Sequence, residues 1–229
     1  MIIGGWQKFS LLDYPGKISA IIFTRGCNFR CPYCHNPELV LPAQFQQEIS
    51  LSKIYDFLTA RRNKLDAVCI TGGEPTLHHD LLEMISQIKK LGFLVKLDTN
   101  GTNPQMLKQI IRDKLVNYFA MDIKAPLSDY SRITDQATPV AILQKSIELI
   151  INSGVDHEFR TTIAKELLTF DDLREIAKTI KGANNYFLQQ FIASKLVDQK
   201  LQTATTYQQD TLASLAKELS SYVKNCQIR

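Results

Sequence analysis

Short apolar runs rich in β-branched and aromatic residues alternate along the chain with longer stretches in which apolar residues recur every three or four positions. The runs at 18–24, 67–71, 93–97, 116–123, 158–163 and 186–191 predict strands. Between them, 80–91 carries Leu81, Leu82, Ile85, Ile88 and Leu91 on one helical face. The segments 104–114 (Met106, Leu107, Ile110, Ile111) and 139–151 have similar stripes, 171–180 reads as another helix, and 211–223 as a C-terminal helical cap. This rhythm is that of a parallel α/β protein.

Six βα units are fewer than the eight that close a TIM barrel, so the pattern predicts a partial, open (β/α)6 TIM-like barrel with a lateral gap. Polar residues collect where each predicted strand ends, at 27–34, 71–74, 98–101, 122–124 and 160–162. In parallel α/β folds that edge binds ligands, so five strand ends point to one shared site. At 229 residues a single domain over 1–229 is expected: an N-terminal lead-in over 1–16, a core over about 17–192 and a C-terminal cap over about 193–229.

Composition adds mostly exclusions. With 45% hydrophobic and 22% charged residues the chain is ordinary globular material. The charge of +4 comes from 27 basic and 23 acidic residues spread along the chain, which does not imply nucleic acid. No apolar run reaches the ~20 residues of a membrane span, and the first residues lack a signal-peptide pattern, so a cytoplasmic protein with no membrane partner is expected. Of five cysteines, three lie within eight residues, which in a reducing compartment favours metal over disulfides.

Those three, Cys27, Cys31 and Cys34, follow the first predicted strand as C-x3-C-x2-C. Three thiolates suit a four-iron cluster whose fourth iron has no protein ligand and is open to the amino and carboxylate groups of S-adenosylmethionine. Structural zinc is the alternative, but it needs a fourth ligand, and neither Cys69 nor Cys226 has a paired motif. The carbonyls of Gly72 and Gly73 can accept from an ammonium, although a tight turn explains the pair equally well. Asp122 and Lys124 alternate onto one side of an apolar strand, where a zwitterion or a simple salt bridge would satisfy both. Arg160 and Thr162 likewise share a face, and an arginine fork suits a carboxylate.

The sequence resembles the radical S-adenosylmethionine (radical SAM) superfamily and, within it, the activating enzymes of glycyl-radical enzymes. The motif Tyr33-Cys34-His35-Asn36 matches their YCHN form, and Ser10-Leu11-Leu12-Asp13-Tyr14-Pro15-Gly16 looks like their S-x-x-D-x-P-G segment. The runs Asp122-Ile123-Lys124-Ala125-Pro126 and Phe187-Leu188-Gln189-Gln190-Phe191 bring it closest to the anaerobic ribonucleoside-triphosphate reductase activating proteins. The resemblance spans about residues 4–192. It implies a [4Fe–4S] cluster on Cys27, Cys31 and Cys34, with S-adenosylmethionine held by Tyr33, His35, Gly72, Gly73, Glu74, Asp98, Thr99, Asp122, Lys124, Arg160, Thr162 and Gln190.

It implies further that Gly72, Gly73 and Glu74 hold the methionyl amino group, helped by Asp98 and Thr99 with a monovalent cation. The implied partners are a glycyl-radical enzyme, anaerobic ribonucleotide reductase first, and a flavodoxin or ferredoxin as electron donor. Gln189 and Gln190 stand where pyruvate formate-lyase activases carry histidine. Two alternatives stay open: a small-molecule enzyme similar to 7-carboxy-7-deazaguanine synthase, against which His35 argues, and a metal or electron-transfer module. His78, His79, His157, Cys69 and Cys226 carry no motif and are expected to be solvated or structural, and Trp6, Phe9, Leu11 and Leu12 are apolar residues of the core or of a docking surface.

Overall fold

Each predicted apolar run forms a strand, and the strands stand side by side in chain order. In the computed structural model, which describes residues 1–229, one sheet contains β1 (Ile3–Ser10), β2 (Ser19–Thr24), β3 (Ala67–Gly72), β4 (Leu94–Thr99), β5 (Tyr118–Asp122), β6 (Asp156–Ile163), β7 (Asn185–Gln190) and β8 (Asn225–Ile228). β1 runs antiparallel to β2, and every later pair is parallel. The edges β1 and β8 do not pair, so the sheet curls into an open, partial barrel.

Eight helices connect the strands: α1 (Pro37–Val40), α2 (Leu51–Ala60), α3 (Leu81–Lys90), α4 (Pro104–Arg112), α5 (Ser131–Thr134), α6 (Val140–Ile151), α7 (Phe170–Thr179) and α8 (Gln209–Leu219). Their apolar stripes cover the outer face of the sheet. In α3, Leu81, Met84, Ile85 and Ile88 are buried while Leu82 and Leu91 sit at the margin. Each buried aliphatic side chain contributes about 1.5–3 kcal/mol relative to exposure. A capping box of Thr169 and Asp172 fixes the start of α7. The main core joins residues from Ile3 to Val223, whereas the lumen holds only a small apolar floor of Tyr14, Ile21, Ala67, Cys69 and Tyr118. No helix is long and apolar enough to cross a membrane.

Three elements fall outside the periodicity. β1 mixes two glycines with Trp6, Gln7 and Lys8, so it lacks an apolar run and is recognised as a strand only by its pairing with β2. The stripe of α2 is thin, with Ile54 and Leu58 alone buried. β8 has only four residues, and it turns the expected helical cap into helix plus strand, adding a seventh parallel strand beyond the six predicted. Trp6 packs edge-on against Phe57 of α2 at 4.8 Å, so it belongs to the packing, whereas Phe9, Leu11 and Leu12 are exposed.

Candidate functional site

The loop after β2 carries the three cysteines and is held by backbone contacts rather than by regular structure. Gly26 N–H donates to Leu39 O (2.7 Å), and Gly26 O accepts from Glu74 N–H (2.8 Å). Gly73 N–H donates to Thr24 O at 2.8 Å. A Cβ on Gly73 would lie 2.0 Å from Gly26 O, so only glycine lets the two loops touch. Gly72, at φ +110°, occupies a region that side chains disfavour. The segment after β7 braces the other side: Val197 and Asp198 N–H donate to Cys34 O and Pro32 O at 3.1 and 3.0 Å.

Cys31 is buried, Cys27 and Cys34 are half-buried, and none is in a disulfide. No three His, Cys, Asp or Glu side chains stand close enough to share a single ion. Burial pushes the Cys27 thiol up to about 11, against the Phe29 N–H and then Lys124, and the Cys31 thiol up to about 12, against Lys124. Loading a cluster therefore displaces protons from these thiols.

The cysteines face a cavity of about 470 Å³ at the C-terminal edge of the strands. Its wall includes Tyr33, His35, Gly72, Gly73, Glu74, Asp98, Thr99, Asp122, Lys124, Arg160 and Thr162. Gln190 does not line it; Gln189 does. Register explains the difference, because Gln189 stands beside Thr162 on the lumen side and Gln190 beside the buried Ile163. Asp13, Phe29, Asn36, Val40, Thr71 and Asn100 also line the cavity.

Glu74 has a structural task. Fully buried, its carboxylate accepts from Thr76 N–H (3.1 Å), Thr76 Oγ1 (2.5 Å), Thr99 Oγ1 (2.7 Å) and Asn100 N–H (2.6 Å), tying the end of β3 to that of β4. Burial raises its pKa against those bonds. His35 stacks on Phe191 (5.9 Å, 15°) and bonds Ile192 O through Nε2 at 2.8 Å, fixing it as a wall of the cavity. The Tyr33 hydroxyl is buried with no hydrogen-bond partner.

A chain of ion pairs crosses the lumen. Asp98 accepts from Lys96 Nζ at 2.6 Å and Arg160 Nη1 at 3.0 Å, and Asp122 accepts from Arg160 Nε at 2.7 Å and Lys124 Nζ at 2.9 Å. The salt bridge weighed for Asp122 and Lys124 is thus present, as one link of that chain. Burial raises the Asp98 and Asp122 carboxyls, but Arg160 outweighs it with help from Lys96 or Lys124, and both lie below the usual aspartate range. Groups with depressed folded pKa values add stability that is complete above the unfolded value of about 3.9 and disappears as pH falls through the folded values. Glu74 runs the opposite way. In denaturant titrations, stability is expected to be flat with respect to this pair down to about pH 5 and to fall below about pH 4, with a shallower fall in D98N.

Lys96 and Glu158 escaped the sequence reading, although Lys96-x-Asp98 and Glu158-x-Arg160 repeat the alternation that marked Asp122-x-Lys124. His157 is a satisfied core residue between Val155 O (2.9 Å) and Asn184 N–H (3.1 Å). Half-buried His78 bonds Arg25 O at 3.1 Å, and His79 is exposed. Cys69 lies in the apolar floor, as expected of a core residue, and Cys226 is half-buried.

The sequence profile of the radical SAM superfamily matches residues 21–180. The chain belongs to the radical SAM superfamily. It is therefore a radical SAM enzyme, and membership implies a [4Fe–4S] cluster and S-adenosylmethionine. A protein provisionally named a glycyl-radical enzyme activating enzyme, from Methanocaldococcus jannaschii, is 35% identical over all of this chain and 95% of its own length. The pyruvate formate-lyase-activating enzyme of Staphylococcus aureus is 31% identical over 42% of this chain and 39% of its own length. Among solved structures, Streptococcus suis SuiB bound to S-adenosylmethionine superposes with a TM-score of 0.66 at 12% identity over 91% of this chain, which shows a shared fold. The radical SAM chain described here spans about half the length of SuiB.

The residues present fit both cofactors. Soft thiol donors stand beside a cavity with fixed charges and an orphaned buried hydroxyl, which a polar ligand would satisfy.

Proposed function

We propose that this radical SAM enzyme activates a glycyl-radical enzyme, anaerobic ribonucleoside-triphosphate reductase first among candidates, with the chain working as a single domain. The observation that carries the reading is the convergence of three cysteine thiols and the Asp98–Arg160–Asp122–Lys124 chain on one cavity.

Cys27, Cys31 and Cys34 would hold the cluster, and the rest of the wall would hold S-adenosylmethionine. With both bound and one electron delivered by a flavodoxin or ferredoxin, the cofactors supply a 5′-deoxyadenosyl radical that can take hydrogen from a glycine Cα. Lys124 and Arg160 are the cations of the cavity wall, and they would be the contacts of the methionyl carboxylate. Arg160 Nη2 makes no bond within the protein, so it is available to that carboxylate. Gly72 and Gly73 let the methionyl amino group approach the backbone. Tyr33 would offer its hydroxyl, and Thr162 and Gln189 polar atoms, to the nucleoside half. Both oxygens of Asp98 are taken by Lys96 and Arg160, so no monovalent cation is assigned to it. The open side of the barrel between β1 and β8 gives a polypeptide loop a way to the cavity.

The test is anaerobic. Cluster-loaded protein with reductant, S-adenosylmethionine and an anaerobic ribonucleotide reductase is expected to give the doublet EPR signal of a glycyl radical. If S-adenosylmethionine is cleaved but no glycyl-radical enzyme yields the doublet, the activase reading fails and a small-molecule substrate replaces it.

A further inference from the structure

Below the cavity the ion-pair chain continues to a residue at the far end of the sequence. Glu158 lies on β6 two positions before Arg160, on the same face, with a side chain fully shielded from solvent. It accepts from Tyr118 Oη at 3.0 Å and faces Arg160 Nη1 at 3.8 Å. Its strongest partner is Arg229, which grips it with two nitrogens, Nη1 to Oε1 at 3.1 Å and Nη2 to Oε2 at 3.4 Å.

Arg229 is itself immobilised. Its N–H donates to Leu188 O at 2.9 Å, its carbonyl accepts from Gln190 N–H at 2.8 Å, and its guanidinium lies 3.5 Å from the centre of the Phe187 ring. Backbone pairing beside β8 and stacking together aim one cation into the barrel.

That placement matters because Arg160 has three carboxylates within reach: Asp122 at 2.7 Å, Asp98 at 3.0 Å and Glu158 at 3.8 Å. With its Nε on Asp122 and its Nη1 on Asp98, Arg160 leaves the fully buried Glu158 in need of a second cation. With Glu158 neutralised by Arg229, the Arg160 fork turns upward to Asp98 and Asp122, both on the cavity wall. Without Arg229, an unpaired charge on the lumen floor would draw Arg160 down and release Asp122 and Lys124 from their positions.

We infer that Arg229 is a positioning residue for S-adenosylmethionine binding, acting through Glu158 on Arg160. The inference rests on the proposal that S-adenosylmethionine occupies this cavity. β8, absent from the expected six-stranded core, then places Arg229, the residue that follows it, beside Glu158.

The experiment compares wild type, Arg229→Gln and the double variant R229Q/E158Q, all cluster-loaded. S-adenosylmethionine affinity is measured by calorimetry, and thermal unfolding is recorded on the same preparations. R229Q is expected to weaken binding about tenfold, within the range of mutations along coupled networks. The double variant is expected to return to within about threefold of wild type, because removing the carboxylate removes the need for its counter-charge. R229M, which keeps apolar packing on Phe187 without the charge, carries the same test if R229Q does not fold. A lower Tm with wild-type affinity would mean a purely structural role and overturns the inference, as does a double variant no better than R229Q. Failure of the cavity assignment looks different: wild type with an intact cluster would then bind no S-adenosylmethionine at all.

Discussion

Cys31→Ser is expected to abolish reductive cleavage of S-adenosylmethionine and to strip the reconstituted protein of its four-iron absorbance. Cys31 is the most buried of the three cysteines, and burial pushes its thiol up to about 12. Iron, by binding the thiolate, offsets the loss of a proton that burial holds in place against the pull of Lys124. A serine hydroxyl is a harder and far less acidic donor that cannot replace the thiolate. The loop leaves no substitute, because neither Cys69 on the lumen floor nor Cys226 in β8 lies on the cavity wall. C69S and C226S are accordingly expected to keep iron content and cleavage, with C69S losing some stability. Iron analysis, visible absorbance and 5′-deoxyadenosine production read all three variants. A C31S protein with full iron and undiminished cleavage would remove the cysteine loop from the mechanism.

The sequence disclosed this loop because its message is local: three cysteines at fixed spacing after an apolar run need no tertiary knowledge. The parallel strands were equally legible, since burial on both faces makes each a continuous apolar run. Where a strand has glycine and polar residues, as in β1, or only four positions, as in β8, burial leaves no periodic trace and pairing alone defines it. The same limit explains Gln189. Two adjacent glutamines are equivalent as letters, and only the register against Thr162 and Ile163 tells lumen from core. Glu74 belonged to a recognisable motif, yet its saturation by Thr76, Thr99 and Asn100 depends on β3 and β4 ending side by side. Lys96 and Glu158 were within reach, because a charge two positions from another in an apolar strand marks the lumen face wherever it occurs. Arg229, separated from Glu158 by 71 positions, was not.

Arg160→Met should be the most damaging change outside the cysteines, and it separates two roles that the arginine combines. As a structural group, Arg160 neutralises Asp98 and Asp122, whose side chains are only 13% and 28% exposed. Removing one partner from a buried ion-pair network costs about 3–5 kcal/mol, here reduced by Lys96 and Lys124, which remain paired with the same carboxylates. As a ligand group, Arg160 lines a cavity proposed to hold a methionyl carboxylate and keeps Nη2 without a protein partner, and its loss should weaken S-adenosylmethionine binding about 100-fold, as expected when a charged partner is removed from a desolvated site. Arg160→Lys divides the effects. An ammonium keeps the charge but cannot fork to Asp98 and Asp122 while still presenting a nitrogen to the ligand. R160K should therefore recover most of the stability in denaturant unfolding and little of the affinity in calorimetry. If R160K instead restored both equally, charge alone would matter and the planar fork would have no role. If R160M bound S-adenosylmethionine as wild type does, Arg160 would be a brace of the lumen, and the methionyl carboxylate would have to rest on Lys124 alone.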